Sequence, residues 1–244
     1  MSRPTLSICV TTFNRLPLLP RLIDQLSGLG DELVVLDSHS TDGSAEWLAA
    51  RDDVRLVQRP FDGHYGRHKN ALLDAASGDW ILLVDSDELL GDRLRARLRW
   101  LIRIPFATHF RIPRYWLAPG DGLRHVVAER LYPDYQTRLF RNRPVFRYGE
   151  EAAVHEHFPR RGRGWGPRVN GCHLFHLDFL IADRATREAK VARYDATDAS
   201  ANLTSAVYLW EDQPHALQPC EEPLTGVELP ELLGPANGAQ AEPG

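Results

Sequence analysis

Over the first hundred residues, a short apolar run is followed by an amphipathic stretch four times in succession. Residues 6–10 (LSICV), 32–37 (ELVVLD), 54–58 (VRLVQ) and 80–85 (WILLVD) read as strands. Between and after them, residues 17–30, 41–52, 66–78 and 92–102 read as helices. In the first helix Leu18, Leu19, Leu22, Ile23 and Leu26 share one face, the spacing of a surface helix laid on a core. The run WILLVD is apolar almost throughout, the pattern of a strand covered on both faces. Strict alternation of strand and helix predicts an α/β fold, with a central, mostly parallel sheet flanked by helices. Sheets of this kind bind ligands at the carboxyl ends of their strands.

The pattern changes near residue 103. Residues 107–120 and 136–151 read as strands and loops rich in Arg and aromatics, and residues 172–180 as a further strand. Residues 183–200 read as a polar helix that starts at Asp183. From 211 the chain is dense in Pro, Gly and Glu, which predicts an irregular or disordered tail. The expected organisation is therefore a βα half over 1–102, a second half of the same domain over 103–210, and a tail over 211–244.

Three of the predicted strand ends carry polar clusters: TTFNR (11–15, with Thr11 and Asn14), DSHSTDG (37–43) and DSDE (85–88). Asp85 and Asp87 are two positions apart, which puts both carboxylates on one side of an extended segment. Crowded carboxylates repel unless something compensates them. A hard divalent cation, Mg²⁺ or Mn²⁺, does so and shares its remaining positions with a diphosphate. The competing reading is a solvated turn that caps the next helix. Asp37 closes the second strand, where an acid accepts hydrogen bonds from a ribose hydroxyl or a base edge. Thr41 and Asp42 suit the cap of the following helix.

Composition excludes several classes. Net charge is −4, with no overall basic bias toward nucleic acid. The three cysteines, Cys9, Cys172 and Cys220, are far apart and odd in number, against a disulfide framework and in keeping with a reducing cytoplasm. The start of the chain has no long apolar segment of the secretory type. No run approaches the length of a membrane span. Peripheral contact with a membrane stays open, because residues 158–168 (FPRRGRGWGPR) suit a loop that closes over a ligand or rests on anionic headgroups.

Taken together, SICVTTFNR, ELVVLDSHSTDGS and RPFDGHYGRHKNALLDAASGDWILLVDSDE resemble the nucleotide-sugar domain of family 2 glycosyltransferases with the GT-A fold, closest to the bacterial branch that builds lipopolysaccharide cores and similar surface glycans. The resemblance is good over about residues 5–100 and looser through TRLFRN, VHEHF and HLFHLDF to about 180. It implies an inverting transferase that uses a nucleoside-diphosphate sugar donor and a divalent metal. By similarity Thr11, Asp37 and Lys69 surround the nucleotide, Asp85 and Asp87 form the metal motif, and His176 is a candidate to complete it. The acceptor would be a glycan or glycolipid hydroxyl.

Inverting transfer needs a base for the acceptor proton. Glu150, Glu151 and Glu156 are the acids in reach of the right segment. The His155–Glu156 pair after RLFR matches a pair in relatives, which favours Glu156. Trp116, Tyr115 and Trp165 are candidate platforms for sugar rings. Two rival functions are a catalytically silent donor-binding scaffold in a glycan-assembly complex and a sugar nucleotidyltransferase. The second wants a glycine-rich phosphate loop after the first strand, which TTFNRLPLLP lacks.

Overall fold

The computed structural model describes residues 3–149, 158, 162, 164–197 and 206–226. Strand β1 (Leu6–Thr12) leads through α1 (Leu19–Leu26) to β2 (Glu32–Asp37), then through α2 (Ser44–Ala49) to β3 (Arg55–Gln58). Helix α3 (Tyr65–Ala75) returns the chain to β4 (Trp80–Asp85), followed by the short β5 (Glu88–Leu90) and α4 (Asp92–Leu101). β4, β1, β2 and β3 lie side by side in that order and pair in parallel. The predicted alternation is therefore present, and two strand ranges, 32–37 and 80–85, coincide with the expectation.

The apolar run of β4 explains its place. Ile81, Leu82, Leu83 and Val84 have no exposed surface, and each such burial stabilises the fold by roughly 1.5–3 kcal/mol. Alternate residues feed two separate cores. Trp80, Leu82 and Val84 join the cluster that holds α1 and α4. Ile81 and Leu83 join the cluster under α3 with Phe140 and Phe146. Covering both faces leaves the C-terminal end of the strand as the place where β4 meets polar groups.

The second half adds β6 (His109–Ala118), β7 (Arg124–Val127), β8 (Asp134–Arg141) and β9 (Leu174–His176), then α5 (Asp178–Ile181) and α6 (Arg184–Thr197). β8 inserts antiparallel between β4 and β6. β9 pairs with β5 and β6 at one end of the sheet. The chain predicted as one strand over 172–180 is thus a three-residue strand running into a helical turn.

The expected irregular tail is corrected within its described part. Ala216–Pro219 forms β10, paired antiparallel with β7 at the edge of the sheet. No periodicity announces this strand. It forms because β7 offers an open edge, and an edge position tolerates Pro219. Just beyond it, Glu222 is buried and its Oε1 accepts the Leu94 N–H in the first turn of α4 at 3.1 Å. A Cβ on Gly91 would lie 2.2 Å from Glu222 Oε1, so the glycine makes room for the acid.

Candidate functional site

A cleft of about 500 Å³ opens at the C-terminal ends of β1 and β4, within the usual range for small-molecule sites. Its walls include Thr11, Lys69, Asp85, Asp87, Arg138 and His176. Three of the sequence signals meet here, as parallel strands require: β1 and β4 are neighbours, with Thr11 opposite Asp85 in register. Lys69 arrives from α3. That helix is capped by His64, whose Nδ1 accepts the Arg67 N–H at 3.3 Å. Asn70 fixes the helix to the far wall: its amide donates to the Tyr148 carbonyl at 3.0 Å and accepts the Tyr148 N–H at 2.8 Å.

Asp85 and Asp87 do not share an extended segment. Asp85 ends β4, and Ser86 and Asp87 form a turn before β5. The two carboxylates consequently have different partners. Asp85 Oδ1 lies 3.1 Å from Lys69 Nζ, and Oδ2 accepts from Arg138 Nη2. Burial by itself would raise the Asp85 pKa, but Arg138 first and Lys69 next hold it well below the usual carboxylate range. Where the sequence suggested that Asp85 ligates a metal, both of its oxygens are occupied by cationic side chains.

The floor of the site is a network that the sequence did not reveal. Glu88 is fully buried; its Oε1 accepts from Arg138 at 2.7 Å and Arg114 at 2.9 Å, and its Oε2 accepts the Asp85 N–H at 3.1 Å. Arg114 also donates from Nε to Asp134 at 2.8 Å. The carboxylates of Asp134, Glu88 and Asp85 are thereby matched by the cations of Arg114, Arg138 and Lys69. Matched partners and satisfied lone pairs are what a buried ionic network needs to persist. Arg114 and Arg138 come from β6 and β8, which run far away in sequence. The only hint was the two-residue spacing of Gln136 and Arg138, which places both on one side of a strand.

Asp87 lies outside this balance. Its Oδ2 is 3.5 Å from His176 Nε2, too long for a good hydrogen bond. Burial, then the charge of Arg114, lowers the His176 pKa to about 3, so the imidazole is neutral. His176 packs on Trp116 with ring centroids 4.2 Å apart, and its Nδ1 is buried without a hydrogen-bond partner among the described residues. An unbalanced carboxylate beside a neutral imidazole is a donor set suited to a divalent cation, whose bonds to such atoms are about 2.0–2.2 Å long. The residues present fit a metal through Asp87 and His176. No cluster of three acid, His or Cys ligands forms among the described residues.

Other expected residues take different roles. Asp37 is fully buried and does not line the cleft: its two oxygens accept the Ser40 N–H at 3.0 Å and the Ser40 hydroxyl at 2.5 Å. Asn14 accepts the Thr41 N–H at 2.7 Å through Oδ1, while its own N–H donates to Ser40 Oγ at 2.8 Å. Asp37 and Asn14 therefore shape the loops after β2 and β1 and form a layer behind the cleft wall. Ser38 and His68, which the sequence did not single out, do line the cleft and are bonded to each other at 2.8 Å. Tyr115 and Trp116 are buried, and Trp165 is exposed outside the cleft lining. Glu150, Glu151, His155 and Glu156 lie outside the described residues.

Residues 7–144, more than half of the chain, match the model of the family described as Glycosyl transferase family 2. The chain belongs to glycosyl transferase family 2. This family member is 32% identical over 142 residues to a TPR repeat-containing protein of Synechococcus elongatus, covering 58% of this chain and 33% of that protein. It is 29% identical over 104 residues to an uncharacterized glycosyltransferase of Rickettsia felis, covering 43% of this chain and 35% of that one. The chain thus matches about a third of the length of these relatives. Among solved structures it is similar to the mannosyltransferase PcManGT of Pyrobaculum calidifontis in complex with GDP-Man and Mn²⁺, with a TM-score of 0.54 at 16% identity, covering 79% of this chain and 61% of that one. It is also similar to residues 1–349 of S. aureus TarS, with a TM-score of 0.51 at 15% identity, covering 84% and 69%. The fold of this family 2 chain is accordingly GT-A.

Proposed function

We propose that this chain is an inverting glycosyltransferase that moves a sugar from a nucleoside-diphosphate donor to a hydroxyl of a glycan or glycolipid, in the synthesis of a bacterial surface glycan. The observation that carries the reading is the Asp87–His176 pair on the cleft wall, 3.5 Å apart, beside a charge network balanced without it. The structural neighbour PcManGT was solved with GDP-Man and Mn²⁺, which agrees with this assignment.

Each residue has a part that follows from its surroundings. Asp87 and His176 would hold Mn²⁺ or Mg²⁺, which when bound neutralises charge on the leaving diphosphate. Lys69 reaches the same end of the cleft and supplies a further positive charge to the phosphates. Asp85 holds Lys69 and Arg138 in place, opposite Thr11 in the β1–β4 ladder. The largely buried, ion-paired network below resists reorganisation as charge develops, which is the condition for electrostatic stabilisation of a transition state. Glu156 would take the acceptor proton.

Calorimetry with UDP-, GDP- and dTDP-sugars, with and without Mn²⁺, tests the donor. We expect one nucleotide class to bind only with the metal, and donor hydrolysis or transfer to vanish in Asp87→Ala while the fold persists. Metal-dependent binding with no turnover over a broad acceptor panel would leave a donor-binding scaffold instead. No donor binding at all would remove the proposal.

A further inference from the structure

Among the described residues three large apolar side chains are exposed: Trp100 by 62%, Phe106 by 87% and Trp165 by 56%. They are not scattered. Trp100 lies in the last turn of α4, Phe106 follows five residues after the end of that helix, and Ala107 is bridged to Trp165 in parallel register. The Thr108 N–H donates to the Trp165 carbonyl at 3.0 Å, so the loop of Trp165 is fastened beside Phe106. Phe106 itself has a φ of 67°, a strained region for a bulky residue. Strain that holds an aromatic ring out in solvent is a structural expense without a return in the isolated chain.

Charge in this region is one-sided. Residues 92–111 contain Arg93, Arg95, Arg97, Arg99, Arg103 and Arg111 against a single acid, Asp92. The whole chain carries −4, so this segment at +5 leaves the remainder at −9. On α4 the apolar residues Leu94, Leu98 and Leu101 are buried. Arg93, Ala96, Arg97 and Trp100 occupy the opposite, exposed stripe at spacings of three and four. Arg95 and Arg99 turn toward Asp92 and Asp31. Arg93, Arg97 and Arg103 have no carboxylate partner among the described residues.

Exposed aromatics flanked by guanidiniums without a carboxylate partner among the described residues, Arg97 donating only to Cys172 Sγ at 3.4 Å, match a surface that is apolar just below and anionic at the top. We propose that the α4–β6 face, through Trp100, Phe106, Trp165, Arg93, Arg97 and Arg103, docks this chain on an anionic lipid bilayer. Aromatic rings settle at headgroup level, and basic side chains are drawn to the negative leaflet. The aromatic part of this face, Trp100, Phe106 and Trp165, lies at the opposite end of the sheet from the cleft, while Arg93 sits in the first turn of α4. Thr108 pairs with Arg141, which is opposite Trp80 at the start of β4, whereas Asp85 ends that strand. One strand length, about 17–20 Å, separates the two, so a docked chain keeps its cleft open. The inference does not depend on the transferase reading.

Vesicle co-sedimentation of the full chain tests it without any donor. Vesicles of phosphatidylglycerol and phosphatidylcholine should retain the protein, and pure phosphatidylcholine vesicles should retain much less. Binding should fall steeply in 0.5 M salt, about the concentration at which screening shortens to a few ångströms. The triple variant R93Q/R97Q/R103Q should bind on the order of 100-fold more weakly. W100A/F106S should lose at least about tenfold. Metal-dependent donor binding, where present, should be unchanged in both variants, because none of these residues lines the cleft. Wild-type protein that ignores anionic vesicles, or binds neutral ones equally well, overturns the proposal whatever the variants do. So would a dimer that W100A/F106S dissolves in the absence of vesicle binding, since the face would then be an interface between two copies.

Discussion

The Leu177 N–H donates to the Asp87 carbonyl at 2.9 Å. One backbone bond thus joins the turn that carries Asp87 to the end of β9, one residue after His176. Pairing of Glu88 with His176 in the β5–β9 ladder continues the same connection. The two proposed metal ligands are separated by 89 positions in sequence, and main-chain bonds hold their backbones side by side.

Because each ligand is held independently of the metal, single substitutions should weaken metal without unfolding the chain. Asp87→Asn and His176→Ala should each reduce Mn²⁺ affinity in the presence of a nucleoside diphosphate by at least about tenfold. Electron paramagnetic resonance of free Mn²⁺ measures this directly. Affinity equal to wild type in both variants would place the metal elsewhere.

Arg138 should behave as a structural cation. Arg138→Met leaves Asp85 and buried Glu88 without a principal partner, and breaking such a pair destabilises by about 3–5 kcal/mol. Adding Glu88→Gln should recover part of the loss, since a neutral amide is cheaper to leave buried than a charge. Urea denaturation of the single and double variants gives the comparison. Additive losses would show that the two side chains act separately.

Glu222 and Gly91 should be coupled in the same way. Gly91→Ala puts a methyl group where Glu222 sits, with an expected loss of roughly 1–3 kcal/mol. Glu222→Ala removes the acceptor for Leu94 N–H and the 3.2 Å partner of His173 Nδ1, at about 1–3 kcal/mol. The double variant should be more stable than the sum predicts, because the methyl then enters vacated space. Thermal unfolding of the four proteins closes the cycle.

Acid should destabilise the chain before its carboxylates titrate. Burial lowers the pKa of His68 to about 4, of His125 to about 4 and of His176 to about 3, whereas an unfolded histidine titrates near 6.5. Each ring is neutral in the folded state and takes up a proton on unfolding. Its contribution is complete above about pH 6.5 and is lost as pH falls toward 4. Between pH 7 and pH 5 the loss is up to roughly 2 kcal/mol per histidine. Urea midpoints at the two pH values should differ accordingly, and less so in His68→Gln, whose native ring bonds only to Ser38 among the described residues. A midpoint independent of pH over this range would contradict the assignment.

Much of the parallel half was legible because its signals are local. WILLVD and ELVVLD needed only their own composition to be placed, and Leu19, Leu22, Ile23 and Leu26 needed only a helical period. Cleft residues Thr11, Asp85 and Asp87 could be named because parallel strands all present their C-terminal ends to one rim, whereas Lys69, on α3, was named through the family resemblance. Asp37 and Asn14 were assigned to that rim correctly as to strand end, but their side chains turn to satisfy loop N–H groups, a choice made by neighbours at Ser40 and Thr41. β10 escaped notice because a four-residue edge strand ending in Pro219 is too short to show a period.

What the sequence determined by itself was the order of strands and helices in the parallel half and the set of polar residues at its strand ends, since both follow from hydrophobic period and chain direction. What only the tertiary structure decided was which charge faces which. Arg138 reaches Asp85 because β8 inserts beside β4, and His176 reaches Asp87 because β9 pairs with β5. Electrostatic compensation depends on distance in space, and a distance of a few ångströms between residues far apart along the chain is set by packing.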